Sequence, residues 1–196
     1  MAIAKRKKRF YNVDIPIIGK TTQLQAYEPK DLDNSHIKYD LTRMLKGKSI
    51  LLTIKISVKD DHAKALSKEI KLLPYYLKRL ARKGTSYVED SFSTKCKDAQ
   101  IRIKPFLITR KKVSRNVRKA LRNLARKELE EYVKSKPSEE LFDDILKNKL
   151  QKPLSLKLKK IYPLSVCEIR VLKVENFFEE IEKPEKVKKA KETKKE

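Results

Sequence analysis

The chain has 196 residues, with 50 Lys and Arg against 26 Asp and Glu, a formal charge of +24 and a hydrophobic fraction of 39%, enough for one compact body with a modest core and polar ends. Such a surplus repels itself unless a dense polyanion neutralises it, and nucleic acid is the natural counter-charge. No run approaches the roughly 18 to 20 apolar residues of a spanning helix and no signal-peptide apolar region follows the basic start, so we expect a soluble, intracellular, cytoplasmic protein with no membrane partner.

In chain order, Lys5-Arg6-Lys7-Lys8-Arg9 opens the sequence as five consecutive cations that cannot bury themselves, which makes residues 1–9 a flexible basic arm suited to RNA. From Phe10 to Tyr27 two short strands are predicted on either side of Gly19, and a third over Ile37 to Leu41. Ser49 to Lys59 has the clearest alternation, with Leu52, Ile54, Ile56 and Val58 on one face of a strand. Asp60-Asp61-His62 reads as a surface turn rather than a magnesium site. Ala65 to Leu72 fits either a returning strand or the start of a helix.

Pro74 opens a short helix through Lys83 that stops at Gly84, with Arg79, Arg82 and Lys83 as its basic end. Strands over Thr85 to Lys95 and Gln100 to Thr109 should pair as a hairpin, with Pro105 marking an edge or a bulge. Arg110-Lys111-Lys112 leads to Ser114, which can cap a helix running to about Lys134. On that helix Val117, Leu121 and Leu124 cluster on one side, and Arg115, Lys119, Arg122 and Arg126, with Arg118 beside them, form a row of cations nearly opposite. Pro137 to Leu150 reads as another helix with acid in its first turn. A short segment from Leu154 to Ile161 precedes a final strand over Val166 to Val174, and residues 177–196 read as a charged, disordered tail. The body is therefore a single domain over 10–176.

Little here supports catalysis. Ile18-Gly19-Lys20-Thr21 ends like a phosphate-cradling loop, but the glycine required five residues before Gly19 is Asp14. The acids are scattered among lysines. Cys96 and Cys167 lie far apart and the histidines are His36 and His62, so no zinc spacing can be assembled and both thiols read as free and buried. No catalytic residue, metal, cofactor or small-molecule substrate is expected. With 7% aromatic residues and no Trp, a single-strand binder built mainly on stacking is disfavoured, and phosphate contact by Lys and Arg should dominate.

Several segments, in order, resemble the small-subunit ribosomal protein family of archaea and eukaryotes called S-three-A-e (e-S-one in the unified naming). Phe10-Tyr11-Asn12-Val13 looks like the family's Trp-Tyr-x-Val opening, and Ile18-Gly19-Lys20-Thr21 is similar to its Ile-Gly-Lys-Thr. Tyr76-Leu77-Lys78-Arg79-Leu80-Ala81-Arg82-Lys83-Gly84-Thr85-Ser86 resembles the archaeal Tyr-Leu-Arg-Ser-Leu-Val-Arg-Arg-Gly-Thr-Ser. The basic junction from Thr109 to Arg126 sits where the family carries its own, and Ile161-Tyr162-Pro163-Leu164 is similar to Ile-Tyr-Pro-Leu before its last strand. The chain departs at Glu69 to Pro74, where the family has Phe-x-Gly-x-Asp-Leu-Thr-Arg-Asp, and at His36-Ile37, where it has Gly-Arg; no RNA contact is carried over to the first of these.

The resemblance implies an α+β fold, a β-barrel of about six to seven mostly antiparallel strands with packed helices and basic flexible termini. It implies a structural constituent of the small ribosomal subunit, in an archaeal-type version without a long extension, placed on the platform near the messenger exit. Small-subunit ribosomal RNA, neighbouring small-subunit ribosomal proteins and messenger RNA near the exit are the implied partners. The alternatives are an RNA-modifying enzyme, which needs a reactive constellation, a transient RNA-binding assembly or translation factor, and a DNA-compacting protein.

Overall fold

The computed structural model describes residues 7–178 apart from 46, 60 and 61. Lys5 and Arg6 of the expected arm, the expected turn at Asp60-Asp61, and the expected tail from 179 on lie outside the described residues; Phe177, expected as its first residue, ends the last strand instead, and the Phe178 N–H donates to the Asp98 carbonyl at 3.0 Å. The chain divides into two compact units, Met1–Ile70 and Lys71–Glu196.

In the first unit, β1 (Arg9–Ile15) and β2 (Lys20–Ala26) form an antiparallel hairpin in register from Arg9↔Ala26 to Ile15↔Lys20. Arg9, assigned to the arm from the sequence, is thus the first strand residue. The P-loop-like residues run from the hairpin turn, at Ile18 and Gly19, into β2, at Lys20 and Thr21: the Gly19 N–H donates to the Ile15 carbonyl at 3.0 Å with φ +64°, a left-handed conformation that glycine adopts without a Cβ penalty. A 3₁₀ turn over Pro29–Leu32 leads to β3 (His36–Asp40), which pairs antiparallel with β4 (Ile50–Lys59). Leu52, Ile54 and Ile56 are fully buried, as their alternation predicts; Val58 is only half-buried. The segment left open between strand and helix is β5 (His62–Leu72), which pairs with β4 and runs parallel to β1 at Val13↔Ala63.

In the second unit, α1 (Pro74–Leu80) begins at Pro74 but ends before the expected Lys83. Ala81 is already extended at ψ 114°, and the Arg82 carbonyl accepts the Thr85 N–H at 3.4 Å and hydroxyl at 2.7 Å in a turn that uses the positive φ of Gly84. The expected strand over Thr85 to Lys95 is split into β6 (Tyr87–Glu89) and β7 (Phe92–Lys95), both antiparallel to β8 (Ala99–Thr109). At the β7–β8 connection Cys96 N–H donates to the Ala99 carbonyl and its Sγ accepts the Ala99 N–H at 3.2 Å. Pro105 does sit at a bulge, as expected of a residue without a ladder donor, although β8 is an inner strand that also pairs with β9 (Leu164–Phe177).

Between β8 and β9 run α2 (Arg115–Lys134), α3 (Ser138–Leu146) and α4 (Gln151–Leu158). The helix expected through Leu150 stops at Leu146, because Asn148 turns left-handed at φ 56°. Gln151 Nε2 then donates to the Ile145 carbonyl at 3.0 Å and a separate helix begins. Pro153 is accommodated in its first turn, where a missing N–H removes no helical hydrogen bond.

The α+β class and the largely antiparallel pairing match the expectation, with nine strands and four α-helices among the described residues. The expected barrel does not form. In the first unit β2 and β3 each pair on one side only, and in the second β6 and β7 pair only with β8, so the strands have open edges.

Candidate nucleic-acid interface

Antiparallel pairing places strand ends together. In the second unit the end of β8 lies beside the starts of β6 and β9, through Tyr87↔Ile108 and Thr109↔Leu164. Three basic segments separated by up to 78 positions in sequence therefore share one end of the sheet: Arg82-Lys83 before β6, Arg110-Lys111-Lys112 after β8, and Lys159-Lys160 before β9. All seven side chains belong to exposed residues, and among the described residues none of them makes an ion pair.

Thr109 is the node of this arrangement. It is fully buried. Its Oγ1 accepts the Ser86 N–H at 3.1 Å, and the hydroxyl is within donating distance of the Lys111 carbonyl at 2.7 Å and the Ser86 carbonyl at 3.0 Å. The Thr109 N–H donates to the Ser86 carbonyl at 2.9 Å, Ser86 Oγ accepts the Val113 N–H at 3.2 Å, and the Arg110 N–H donates to the Pro163 carbonyl at 3.3 Å. These bonds hold the three loops against one another although each carries like charge.

Ser114 caps α2 as its sequence predicts, its hydroxyl accepting from the Val117 N–H. The first turn contains no acid; Arg115 and Arg118 occupy it instead. Cations there oppose the helix dipole and add to the field of unsatisfied N–H groups, an arrangement that favours an anion. Arg115, Arg118, Lys119 and Arg122 are exposed, without an ion pair among the described residues, and fall on one stripe.

The stripe does not stay opposite the core, as the sequence suggested. The buried row is Leu121, Ala125, Leu129 and Val133, and each i, i+4 step advances by about 40°. By Val133 the row has wound to the angle that Arg115 holds at the start. Arg126, at the crossover, lies 5.3 Å from the Phe92 ring centroid and its Nε is 2.8 Å from Glu130 Oε1. The available cations are thus concentrated in the first half of the helix, next to the basic loops.

Arg79 lies over the Tyr76 ring at 5.2 Å. In the first unit Lys7, Lys8 and Arg9 are exposed, with the Lys8 ammonium 5.5 Å from the Tyr27 ring centroid. Lys159 and Lys160 were missed in the sequence. A basic doublet separated by three residues from the strand that follows, the spacing of Arg82-Lys83 before β6, was the signal that could have found them.

At the C-terminal end of α2, near the β7–β8 connection, a polar cluster joins it to α3. Lys136 Nζ lies 2.5 Å from Asp144 Oδ2 and 2.8 Å from the Tyr132 hydroxyl, which itself donates to Asp144 Oδ2 at 2.8 Å. Burial alone would raise the Asp144 pKa; the hydrogen bonds from Lys136 and Tyr132 overcome it and hold the carboxyl below its ordinary 3.8. Hydrogen bonding to Asp144 and then to Tyr132 pushes Lys136 well above its ordinary 10.5. Nearby, Lys157 pairs with Glu128, linking α4 to α2. Among the described residues neither Cys96, which is buried, nor Cys167, which is only half-buried rather than buried as expected, forms a disulfide. Among the described residues no three His, Cys, Asp or Glu converge as metal ligands.

The chain is similar along nearly its whole length to known proteins. Three archaeal relatives are named "Small ribosomal subunit protein eS1". The Haloarcula marismortui protein is 29% identical over 193 residues, covering 92% of this chain and 89% of the relative. The Halorubrum lacusprofundi protein is 30% identical over 183 residues, covering 88% and 84% respectively. The Nanoarchaeum equitans protein is 26% identical over 175 residues, covering 84% and 87%. The profile of the Ribosomal S3Ae family matches residues 4–177, a span that contains every strand and helix described above, and the chain belongs to that family.

Proposed function

We propose that the chain is a structural, non-catalytic constituent of the small ribosomal subunit and takes part in translation as such. In this reading it is held in the particle by phosphates of small-subunit ribosomal RNA, on the platform near the messenger exit. Its neighbours are small-subunit ribosomal proteins, messenger RNA passes close by, and its location is the cytoplasmic ribosome. The family and the names of its archaeal relatives support the particle. The observation that carries the mode of binding is the convergence of Arg82, Lys83, Arg110, Lys111, Lys112, Lys159 and Lys160 on one sheet end, beside Arg115, Arg118, Lys119 and Arg122, with no carboxylate of the described residues paired to them. Each phosphate so neutralised releases counterion and adds affinity without reading sequence. Arg forks grip phosphate through two N–H groups at once.

The test has two arms. Sedimentation of a lysate in moderate salt should place the chain in the small-subunit fraction at near-stoichiometric amount; its absence there would favour a transient factor. Purified protein should bind structured RNA with an affinity that falls ~10³-fold or more between about 50 and 200 mM salt if some six phosphates are engaged. Salt-insensitive binding would remove the mechanism.

A further inference from the structure

We propose that Tyr87 is a stacking platform for one unpaired RNA base at the basic sheet end, an inference that rests on the phosphate-binding reading above and deepens it. Tyr87 is the first residue of β6 and is 63% exposed, the most exposed tyrosine among the described residues. Among those residues its ring and hydroxyl make no hydrogen bond, ion pair or ring contact. Strand propensity does not require an exposed ring here: a Val or Thr would serve a pleated edge as well, and the adjacent Val88, 3% exposed, supplies the buried contact of this strand.

Its place in the sheet gives the ring a use. Ser86, immediately before it, is fixed by the Thr109 and Val113 bonds, and Tyr87 is in register with Ile108, which is 1% exposed. The backbone that carries the ring is therefore tied down, and a tyrosine has few rotamers to lose on contact. Upstream are Arg82 and Lys83; beyond Ile108 are Arg110, Lys111 and Lys112. A π-face on a rigid strand, flanked by cations that track a phosphate chain, is the combination that holds a base turned out of a helix. Duplex RNA has no face to offer such a ring, so the chemistry points to a bulged or looped nucleotide. A protein neighbour would need an acidic surface around an aromatic contact. The cations at this end, without an ion pair among the described residues, and the net charge of +24 favour the polyanion.

The experiment uses the full chain and two probes, an RNA duplex and the same duplex with a single bulged adenosine. Wild type should bind the bulged probe more tightly. Tyr87→Ala should weaken the bulged probe by about 5- to 150-fold and leave the duplex unchanged, while Tyr87→Phe should retain the preference, with circular dichroism the same for all three. The chain contains no Trp, so Y87W introduces a lone indole whose emission should be quenched by the bulged RNA and not by the duplex. Equal affinity of wild type and Tyr87→Ala for the bulged probe, with the steep salt dependence intact, would overturn the stacking inference alone. Quenching of Y87W by polyglutamate and not by RNA would overturn it in favour of an acidic protein surface. Loss of salt-dependent binding to both probes by wild type would overturn the phosphate reading and this inference with it.

Discussion

Thr109→Val isolates the device that gathers the basic loops. Valine keeps the shape of the side chain and, at a residue with no exposed surface, leaves no cavity. What it removes is the acceptor for the Ser86 N–H at 3.1 Å and the donor facing the Lys111 carbonyl at 2.7 Å. A buried N–H left unsatisfied costs about 1–3 kcal/mol and the lost donated bond about 1 kcal/mol, so we expect a total near 3 kcal/mol. For a chain of 196 residues each kcal/mol moves the melting midpoint by about 2–4 °C, which gives a fall of about 6–12 °C by circular dichroism. Thr109→Ser, which keeps the hydroxyl and loses one methyl, should cost only about 1 kcal/mol. The salt slope for RNA should also flatten in Thr109→Val, because the loops no longer meet the same stretch of backbone. A midpoint shift below about 2 °C, or a serine variant as damaged as the valine one, would refute the assignment of Thr109 as the node.

The combined change Lys111→Gln, Lys112→Gln and Arg115→Gln should reduce the magnitude of the salt slope by about 3 if all three touch phosphate, with an unchanged melt; an unchanged slope would move the contact elsewhere. Asp144→Asn should destabilise by about 1–2 kcal/mol at neutral pH, since it removes a charge-assisted hydrogen bond while Lys136, 30% exposed, can still turn to water. Because the folded pKa of Asp144 is depressed, its contribution is present above the ordinary 3.8 and lost as pH falls through the folded value. The difference in melting point between wild type and Asp144→Asn should therefore be steady from neutral pH down to about 4 and shrink below it. Lys136, raised above 10.5, loses its share only in strong alkali. Ser114→Ala should cost about 0.5–1 kcal/mol, at the low end for an N-cap because its bond to Val117 is 3.5 Å long; thermal melting checks it.

What could be read from the sequence was whatever local chemistry decides. The alternation of Leu52, Ile54 and Ile56, the Ser114 cap and the turn at Gly19 each depend on neighbours within a few positions, and each stands in the structure. Ala65 to Leu72 could not be assigned because its apolar spacing fits two periods, and pairing with β4 decides between them. The barrel was an expectation taken from family resemblance, and closure depends on edge pairings that no local pattern announces. The buried side of α2 was legible only in its first half, where Leu121 is buried and Val117 and Leu124 are half-buried; Ala125, Leu129 and Val133 then continue a row that winds around the helix. Of the interface, the cations themselves were plain. Their convergence came only with the registers of β6, β8 and β9, and Lys159-Lys160 escaped notice for the same reason.

The first turn of α2 holds arginines where other helices place acids, and the neighbouring loops share their sign. If this corner is the phosphate-binding face proposed above, it is a source of internal pressure in a copy newly released from synthesis, relieved when RNA neutralises it. Multivalent anions such as sulfate should raise its melting point more than their effect on an average protein. Surplus copies that never enter a particle should open from this corner first and be degraded sooner than assembled ones, so that the amount of the protein follows the amount of RNA available to receive it.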